Sequence, residues 1–382
     1  MDAILAIIFW NSVIILTYTY VGYPILLTAL SYVLHRPVKK DENSIPKVTL
    51  IISVYNEERV IRERLENALS QNYPFEKYEI IVASDGSTDE THNIINGFKD
   101  PRIQLIIQEE RLGKTAALNA TVPKSSGDII VFTDANSMYD KDAIRAMMQN
   151  FADSDVGCVT GETRLLNPEG SAIGQNEMAY YSYDTLFKIR ESNIGSTVGA
   201  DGAIFAIRKE LYQPLDPSLI NDFVIPLQVV SQGYRVIYEP KAFLYEATAT
   251  PLKGGFSRRV RIINRALFGA FTVPSVFNPR KVGFFALQII SRKLLRWIAP
   301  VFLILAFLSN AGLLSVMLYR LTMIAQILFY AVALAYPFFG NRVSHKLFNF
   351  PYYFCHGNTA ALVALFKFIR GQRIVVWEPL RR

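Results

Sequence analysis

Residues Ala3 to Leu34 contain no charged side chain, and this stretch restricts what the chain can fold into more than any other. An apolar run of that length exceeds what one tilted helix needs to cross a bilayer. It is too long, and too weakly basic at its start, for a cleavable signal peptide, and no small-residue cleavage pattern follows it. We read it as a retained anchor, which rules out a fold that is soluble throughout. Behind it come His35, Arg36, Lys39 and Lys40, whereas Asp2 alone precedes it, so the positive-inside bias puts the following domain in the cytoplasm.

The remaining excess of apolar residues gathers at the other end. Of 382 residues, 51% are hydrophobic and only 19% charged, which is apolar for a soluble enzyme. Ile298 to Leu318 and Leu321 to Phe339 read as two further spans joined in a hairpin. Leu347 to Ile369 is interrupted by Asn349, Pro351, His356 and Asn358, so it crosses, lines a polar cavity or lies at the interface, giving three or four spans. Val282 to Trp297 mixes Phe284, Phe285, Leu287, Ile289 and Ile290 with Arg292, Lys293 and Arg296, the pattern of an amphipathic helix on the membrane surface. The expected organisation is an anchor over 1–40, a cytoplasmic domain over 41–270, an interfacial segment over 271–297 and a membrane region with a basic tail (Lys367, Arg370, Arg373, Arg381, Arg382) over 298–382. A formal charge of +7 suits anionic lipid, an anionic substrate or both. Cys158 and Cys355 cannot build a disulfide or zinc framework.

From Val48 to about Ile237 the apolar runs are short and rich in β-branched residues. Expected strands are Val48 to Val54, Tyr78 to Ser84, Ile103 to Gln108, Ile129 to Thr133 and Val156 to Gly161. Expected helices are Glu57 to Ser70, Asp89 to Phe98, Lys114 to Ala120 and Asp142 to Gln149. This alternation predicts an α/β domain whose mostly parallel sheet is covered on both faces, with ligands beyond the carboxyl ends of the strands. Three polar motifs fall at those ends: Tyr55-Asn56-Glu57-Glu58, Ser84-Asp85-Gly86-Ser87-Thr88-Asp89 and Asp134-Ala135-Asn136. Each on its own reads as helix capping. A carboxylate and an amide one residue apart, Asp134 and Asn136, also suit a hard divalent cation that grips a diphosphate.

Together these residues resemble the membrane-integrated members of glycosyltransferase family two, whose catalytic domain has the Rossmann-like GT-A fold. The resemblance runs from about Val48 to Arg265 and includes synthases of hyaluronan, chitin, cellulose and poly-N-acetylglucosamine. It implies that Tyr55, Glu57 and Asp85 bind nucleotide, Asp85 through the uracil of UDP. In Arg111-Leu112-Gly113-Lys114, a lysine and free backbone N–H groups at a helix start can meet a diphosphate, or the lysine is a solvated surface residue; the resemblance favours nucleotide contact. The family's metal motif is usually Asp-x-Asp, so Asn136 beside Asp134 implies Mg2+ or Mn2+ held with one carboxylate fewer.

Asn221-Asp222 resembles the family's acidic doublet, whose second member is the general base; the alternative for Asp222 is a helix cap. Inverting transfer needs one carboxylate beside the acceptor hydroxyl as it attacks the anomeric carbon. Asp201, in Gly199-Ala200-Asp201-Gly202-Ala203, is expected near the donor sugar or acceptor. Arg258 and Arg261 stand where polymer-making members carry Gln-x-x-Arg-Trp, and with Arg265 they suit a leaving diphosphate or lipid headgroups equally. Ile262 replaces the tryptophan on which an acceptor sugar would stack. The expected partners are a UDP-sugar donor, a glycan or lipid-linked acceptor and membrane lipids, with no nucleic acid. By the resemblance alone, UDP-N-acetylglucosamine and UDP-glucose are the leading donors, and a non-catalytic membrane scaffold is the rival of another class.

Overall fold

The computed structural model describes residues 2–166, 172–247, 255–339 and 346–374. Arg381 and Arg382 of the basic tail lie outside the described residues. The chain divides into two compact units, one made of Leu30–Thr250 with Phe268–Ala286 and Ile374–Arg382, the other of Met1–Ala29, Pro251–Leu267 and Leu287–Arg373.

The first unit is built on one eight-stranded sheet. Its strands are β1 Val48–Val54, β2 Tyr78–Asp85, β3 Ile103–Gln108, β4 Ile129–Asp134, β5 Met138–Tyr139, β6 Val156–Leu166, β7 Phe205–Arg208 and β8 Arg235–Ala247, in the order β3-β2-β1-β4-β7-β6-β8-β5. The helices Ile61–Leu69, Thr91–Asn96 and Lys114–Thr121 connect the first four strands, and the pairs among those strands are all parallel. Leu50, Ile52, Ile80, Val82 and Val131 are fully buried, as expected of near-continuous apolar strands covered on both faces.

Beyond β4 the sheet becomes mixed. β7 runs antiparallel to both β4 and β6, β5 runs antiparallel to β8, and β6 pairs parallel with β8. The sheet is still mostly parallel, as expected, since only β7 and β5 run against the other six strands. The reason for the reversal at β7 lies in the loop before it, which meets the sheet at the carboxyl end of β4, where Phe205 sits opposite Phe132. A strand starting at that edge can only run backwards.

The other unit is helical. Among the described residues three helices are long and apolar enough to cross a membrane: Asp2–Val33, Phe285–Ala311 and Met317–Phe338. The fourth long helix, Lys346–Ile369, carries the polar interruptions noted above and is not one of the three. The helix Phe285–Ala311 runs without a break across the 297/298 boundary placed from sequence, so the amphipathic stretch and the first arm of the hairpin are one element. It contains a π turn at Ile290–Leu294, and the first helix contains another at Tyr18–Gly22. These irregular turns meet where the Tyr18 hydroxyl lies 2.8 Å from Ser291 Oγ. Tyr20 donates to Asn358 Oδ1 at 3.1 Å, giving two polar groups in apolar surroundings a partner.

Candidate active site

The parallel half of the sheet decides where the polar motifs meet. Register sets Ser53 beside Asp134 and Val54 beside Ser84, so the carboxyl ends of β2, β1 and β4 are adjacent and their loops share one edge. Asn56 turns the chain there at φ 53°, a left-handed conformation that asparagine tolerates better than most residues. Its Oδ1 accepts from the Thr88 backbone N–H at 2.7 Å, while its own N–H donates to Ser87 Oγ at 3.1 Å. Glu57 N–H donates to Thr91 Oγ1 at 2.8 Å, and Glu58 N–H donates to Asp89 at 3.2 Å. The loops after β1 and β2 are thus fastened together by residues that each looked like an isolated cap.

Asp85 closes β2 and organises the next loop. Its Oδ1 accepts from Gln108 Nε2 at 2.8 Å and from the backbone N–H groups of Leu112 and Gly113 at 2.9 Å each. Burial pushes its pKa up, against the opposing effects of the Gly113 and Leu112 amides, the Arg111 charge and the Gln108 amide. Arg111 stacks its guanidinium on the Tyr55 ring, 3.9 Å from the centroid. Gly86 lets the backbone of this loop pass close by: its φ is 71°, and a Cβ there would lie 3.3 Å from the Arg111 backbone nitrogen.

Gly113, at φ 97°, turns the chain into the helix Lys114–Thr121. Lys114 reaches back across the edge, with Nζ 2.5 Å from Asp134 Oδ1 and 3.5 Å from the Gly202 carbonyl oxygen. Gly202 leads to Asp222, because a Cβ on Gly202 would collide with the Asp222 carboxylate. The Asp222 carbonyl in turn accepts from Ala200 N–H at 2.9 Å. Asp222 lies in the first turn of the helix Asn221–Ser231, whose N-cap is Ile220, so it does not cap that helix. A chain of contacts therefore runs from Asp85 through Gly113, Lys114, Asp134 and Gly202 to Asp222, so these three aspartates lie along one edge of the sheet, the candidate cleft.

Other expected residues have different surroundings. The Asp201 carboxylate accepts from the N–H groups of Thr163 and Ala203 at 3.1 Å each and faces Lys188 at 3.8 Å, so it fastens the turn that carries Gly202. Arg258 and Arg261 lie on the helix Gly255–Thr272, in the part that belongs to the helical unit. Burial, then Arg265 and Arg258, lower the Arg261 pKa to about 10.

Asn136 donates from Nδ2 to Glu246 Oε1 at 2.9 Å. Glu246 was not foreseen; it comes from β8, brought to this edge by the pairing of Met138 with Tyr245. Among the described residues no three His, Cys, Asp or Glu side chains gather as a ready metal-ligand set. The donor chemistry nevertheless fits Mg2+ or Mn2+. Asp134, its side chain 42% exposed, presents a hard oxygen at the open strand end, and Glu246 supplies a second carboxylate against Asn136. The cleft thus unites a buried carboxylate able to accept from a base edge, a lysine at a helix start, an oxygen set for a hard cation, and a carboxylate on its far side.

Comparison with known proteins agrees with this geometry. Residues 49–215 match the family model described as Glycosyl transferase family 2. The poly-beta-1,6-N-acetyl-D-glucosamine synthase of Staphylococcus aureus (strain COL) is 28% identical over 240 residues, covering 61% of this chain and 57% of the synthase. A probable glycosyltransferase of Bacillus subtilis (strain 168), YdaM, is 28% identical over 242 residues, covering 58% of this chain and 56% of the relative. The match thus spans little more than half the length of these curated relatives. A mannosyltransferase from Pyrobaculum calidifontis, solved with GDP-Man and Mn2+, shares the fold with a TM-score of 0.73 at 24% identity, covering 95% of this chain and 99% of that one. Residues 49–215, which include β1 to β4 and the loops at their carboxyl ends, are thus similar to a glycosyl transferase family 2 domain, in a chain with helices able to cross a membrane.

Proposed function

We propose that this chain is a multi-pass membrane glycosyltransferase of the cytoplasmic membrane that moves a sugar from a UDP-sugar to a glycan acceptor with inversion, in exopolysaccharide synthesis. The observation that supports this reading is the line of contacts from Asp85 to Asp222, along which a nucleotide and an acceptor could lie side by side.

In this reading Asp85 accepts from the uracil ring, with Tyr55 and Glu57 at the edge of the base site. Lys114 leaves Asp134 for the diphosphate, which its ammonium and the N–H groups after Gly113 can meet. Asp134, with Asn136 and Glu246 beside it, would hold Mg2+ or Mn2+, and the cation would neutralise charge on the departing diphosphate. Asp222 takes the acceptor's hydroxyl proton as that oxygen attacks the anomeric carbon from the side opposite UDP. The N-acetylglucosamine polymer named for the Staphylococcus aureus relative supports UDP-N-acetylglucosamine as the first donor to try. GDP-mannose, bound by the Pyrobaculum calidifontis protein, is the informative competitor.

The test is UDP release by the purified full chain in nanodiscs, with each UDP-sugar, GDP-mannose and either cation. The reading requires UDP release from a UDP-sugar, loss of release in Asp222→Asn with nucleotide binding retained, and β configuration in the product. A protein that binds no nucleotide with either cation would refute it. Replacement of the expected Gln-x-x-Arg-Trp by Arg258-Arg259-Val260-Arg261-Ile262 favours a second reading, in which the acceptor is lipid-linked and receives one sugar per encounter. A single solvent-extractable labelled product, in place of a ladder, would select it.

A further inference from the structure

Helix Ile61–Leu69 buries Ile61, Leu65 and Ala68, and on the same face it buries an arginine. Arg64 is 0% exposed. Its guanidinium donates to Asn67 Oδ1 at 2.8 Å and to Thr133 Oγ1 at 3.3 Å, and it lies 4.7 Å from the Tyr139 ring centroid. Its Nε has no hydrogen-bond partner, and no carboxylate forms a salt bridge with it among the described residues. A buried charge left this incompletely paired is costly to the fold and calls for a reason.

Its contacts point in one direction. Thr133 immediately precedes Asp134. Asn67 brackets Tyr139, donating to its carbonyl and accepting from its N–H at 2.9 Å each. Tyr139 donates its hydroxyl to the Ala203 carbonyl at 3.0 Å, next to Gly202. Arg64 therefore stands behind the turn from Asp134 to Tyr139. Burial lowers its pKa, and Tyr139, Tyr78 and Asp134 oppose that effect. Burial raises the pKa of both tyrosines, which keeps them neutral, so Asp134 is the one formally charged member of the three.

We infer that Arg64 is a positioning residue that supplies a fixed positive charge behind the cleft, holding the Asp134 turn and biasing the site toward an anionic diphosphate and against a cation bound alone. This rests on the nucleotide-site reading above. Lys114 can swing, and its partly exposed side chain is screened by solvent; Arg64 can do neither, so its field acts on whatever occupies the edge of β4. A charge affects a cation and an anion with opposite signs. A packing defect does not.

The experiment uses the full chain in nanodiscs and two probes measured separately: UDP without metal, by calorimetry, and Mn2+ without nucleotide, by electron paramagnetic resonance of the free ion. In Arg64→Met, UDP binding should weaken about tenfold while Mn2+ binding tightens about threefold. Arg64→Lys should keep both affinities within about twofold of wild type, even where its melting temperature falls. If Arg64→Met is recovered unfolded, Arg64→Gln, which keeps a donor for Asn67, is read in the same way. Both affinities moving together, neither moving, or a larger change in Arg64→Lys would overturn the inference. A wild-type chain that binds no UDP under any condition would sink the reading of the site itself, a result distinct from all of these.

Discussion

Gly202→Ala tests the line of contacts through the smallest available change. The added methyl would lie 3.2 Å from Asp222 Cγ and 3.3 Å from its Cβ, and closer still to Oδ2, where ordinary contact begins at 3.4 Å. The backbone at Gly202 needs no left-handed conformation, so alanine fits the chain; the Asp222 carboxylate has to turn away and its Cβ to shift by a few tenths of an ångström. Turning a short side chain away from its preferred rotamer costs roughly 0.5–1.5 kcal/mol, a small fall in stability. Displacing a reacting group by about an ångström costs on the order of a hundredfold in rate, or about 2.7 kcal/mol of transition-state stabilisation. UDP binding should stay within about twofold, because Asp85 and Lys114 are untouched. The assay is UDP release under acceptor-saturating conditions, with calorimetric UDP titration and thermal unfolding on the same preparation. A variant whose kcat/KM stays within about threefold of wild type while the fold is intact would refute the coupling of Gly202 to Asp222.

Lys114→Met should weaken UDP binding by roughly 1.5–3 kcal/mol, the range for a charge-assisted hydrogen bond, measured by calorimetry; an unchanged affinity would leave the lysine as a partner of Asp134 only. Asn136→Asp sets a second carboxylate against Glu246, so the melting temperature should fall without metal and recover in Mn2+; the same loss in both conditions would count against a cation at this turn. Because burial raises the Asp85 pKa above its ordinary 3.8, and under the proposed function base recognition would need the ionised carboxylate, UDP affinity should decline with acidification from a higher pH than an exposed aspartate would give. Asp85→Asn should bind UDP more weakly and lose that pH step, and a step surviving the substitution would assign it to another group.

The parts legible in the sequence were those fixed by neighbours along the chain. β1 and β3 begin and end where their apolar runs do, and Lys114 opens its helix because Gly113 provides the turn. The helix expected from Glu57 begins instead at Ile61, since the preceding residues bond to the loop after β2, which local pattern cannot reveal. β8 was hidden by Pro240, which normally argues against an interior strand. The ladder with β6 slips between Tyr238 and Phe243, leaving the proline in the irregular stretch where a missing N–H costs no ladder bond. With β8 unseen, Glu246 had no address, and only pairing across more than a hundred residues brings it to Asn136. The Asp201 carboxylate was expected near substrate, but the hydrogen bonds that occupy it come from backbone that only the folded turn delivers.

Charge balance explains why the cleft tolerates an amide at position 136. Around the Asp134 turn alone, away from Asp85 and Asp222 at the two ends, Lys114 and Arg64 stand against Asp134 and Glu246, so that part of the site is close to neutral. Under the proposed function a UDP-sugar brings a diphosphate whose charge is roughly cancelled by one divalent cation, so the two entering together preserve that balance. Either entering alone disturbs it where part of the surrounding charge is fixed and poorly screened. An aspartate at 136 would add a negative charge beside Glu246 and favour the free cation, whereas the asparagine keeps an oxygen for coordination and an N–H for Glu246. Under the proposed function the amide would tie cation binding to arrival of the donor. Lys114 fits the same logic, since under the proposed function the ammonium paired with Asp134 is the one that an incoming diphosphate would attract away.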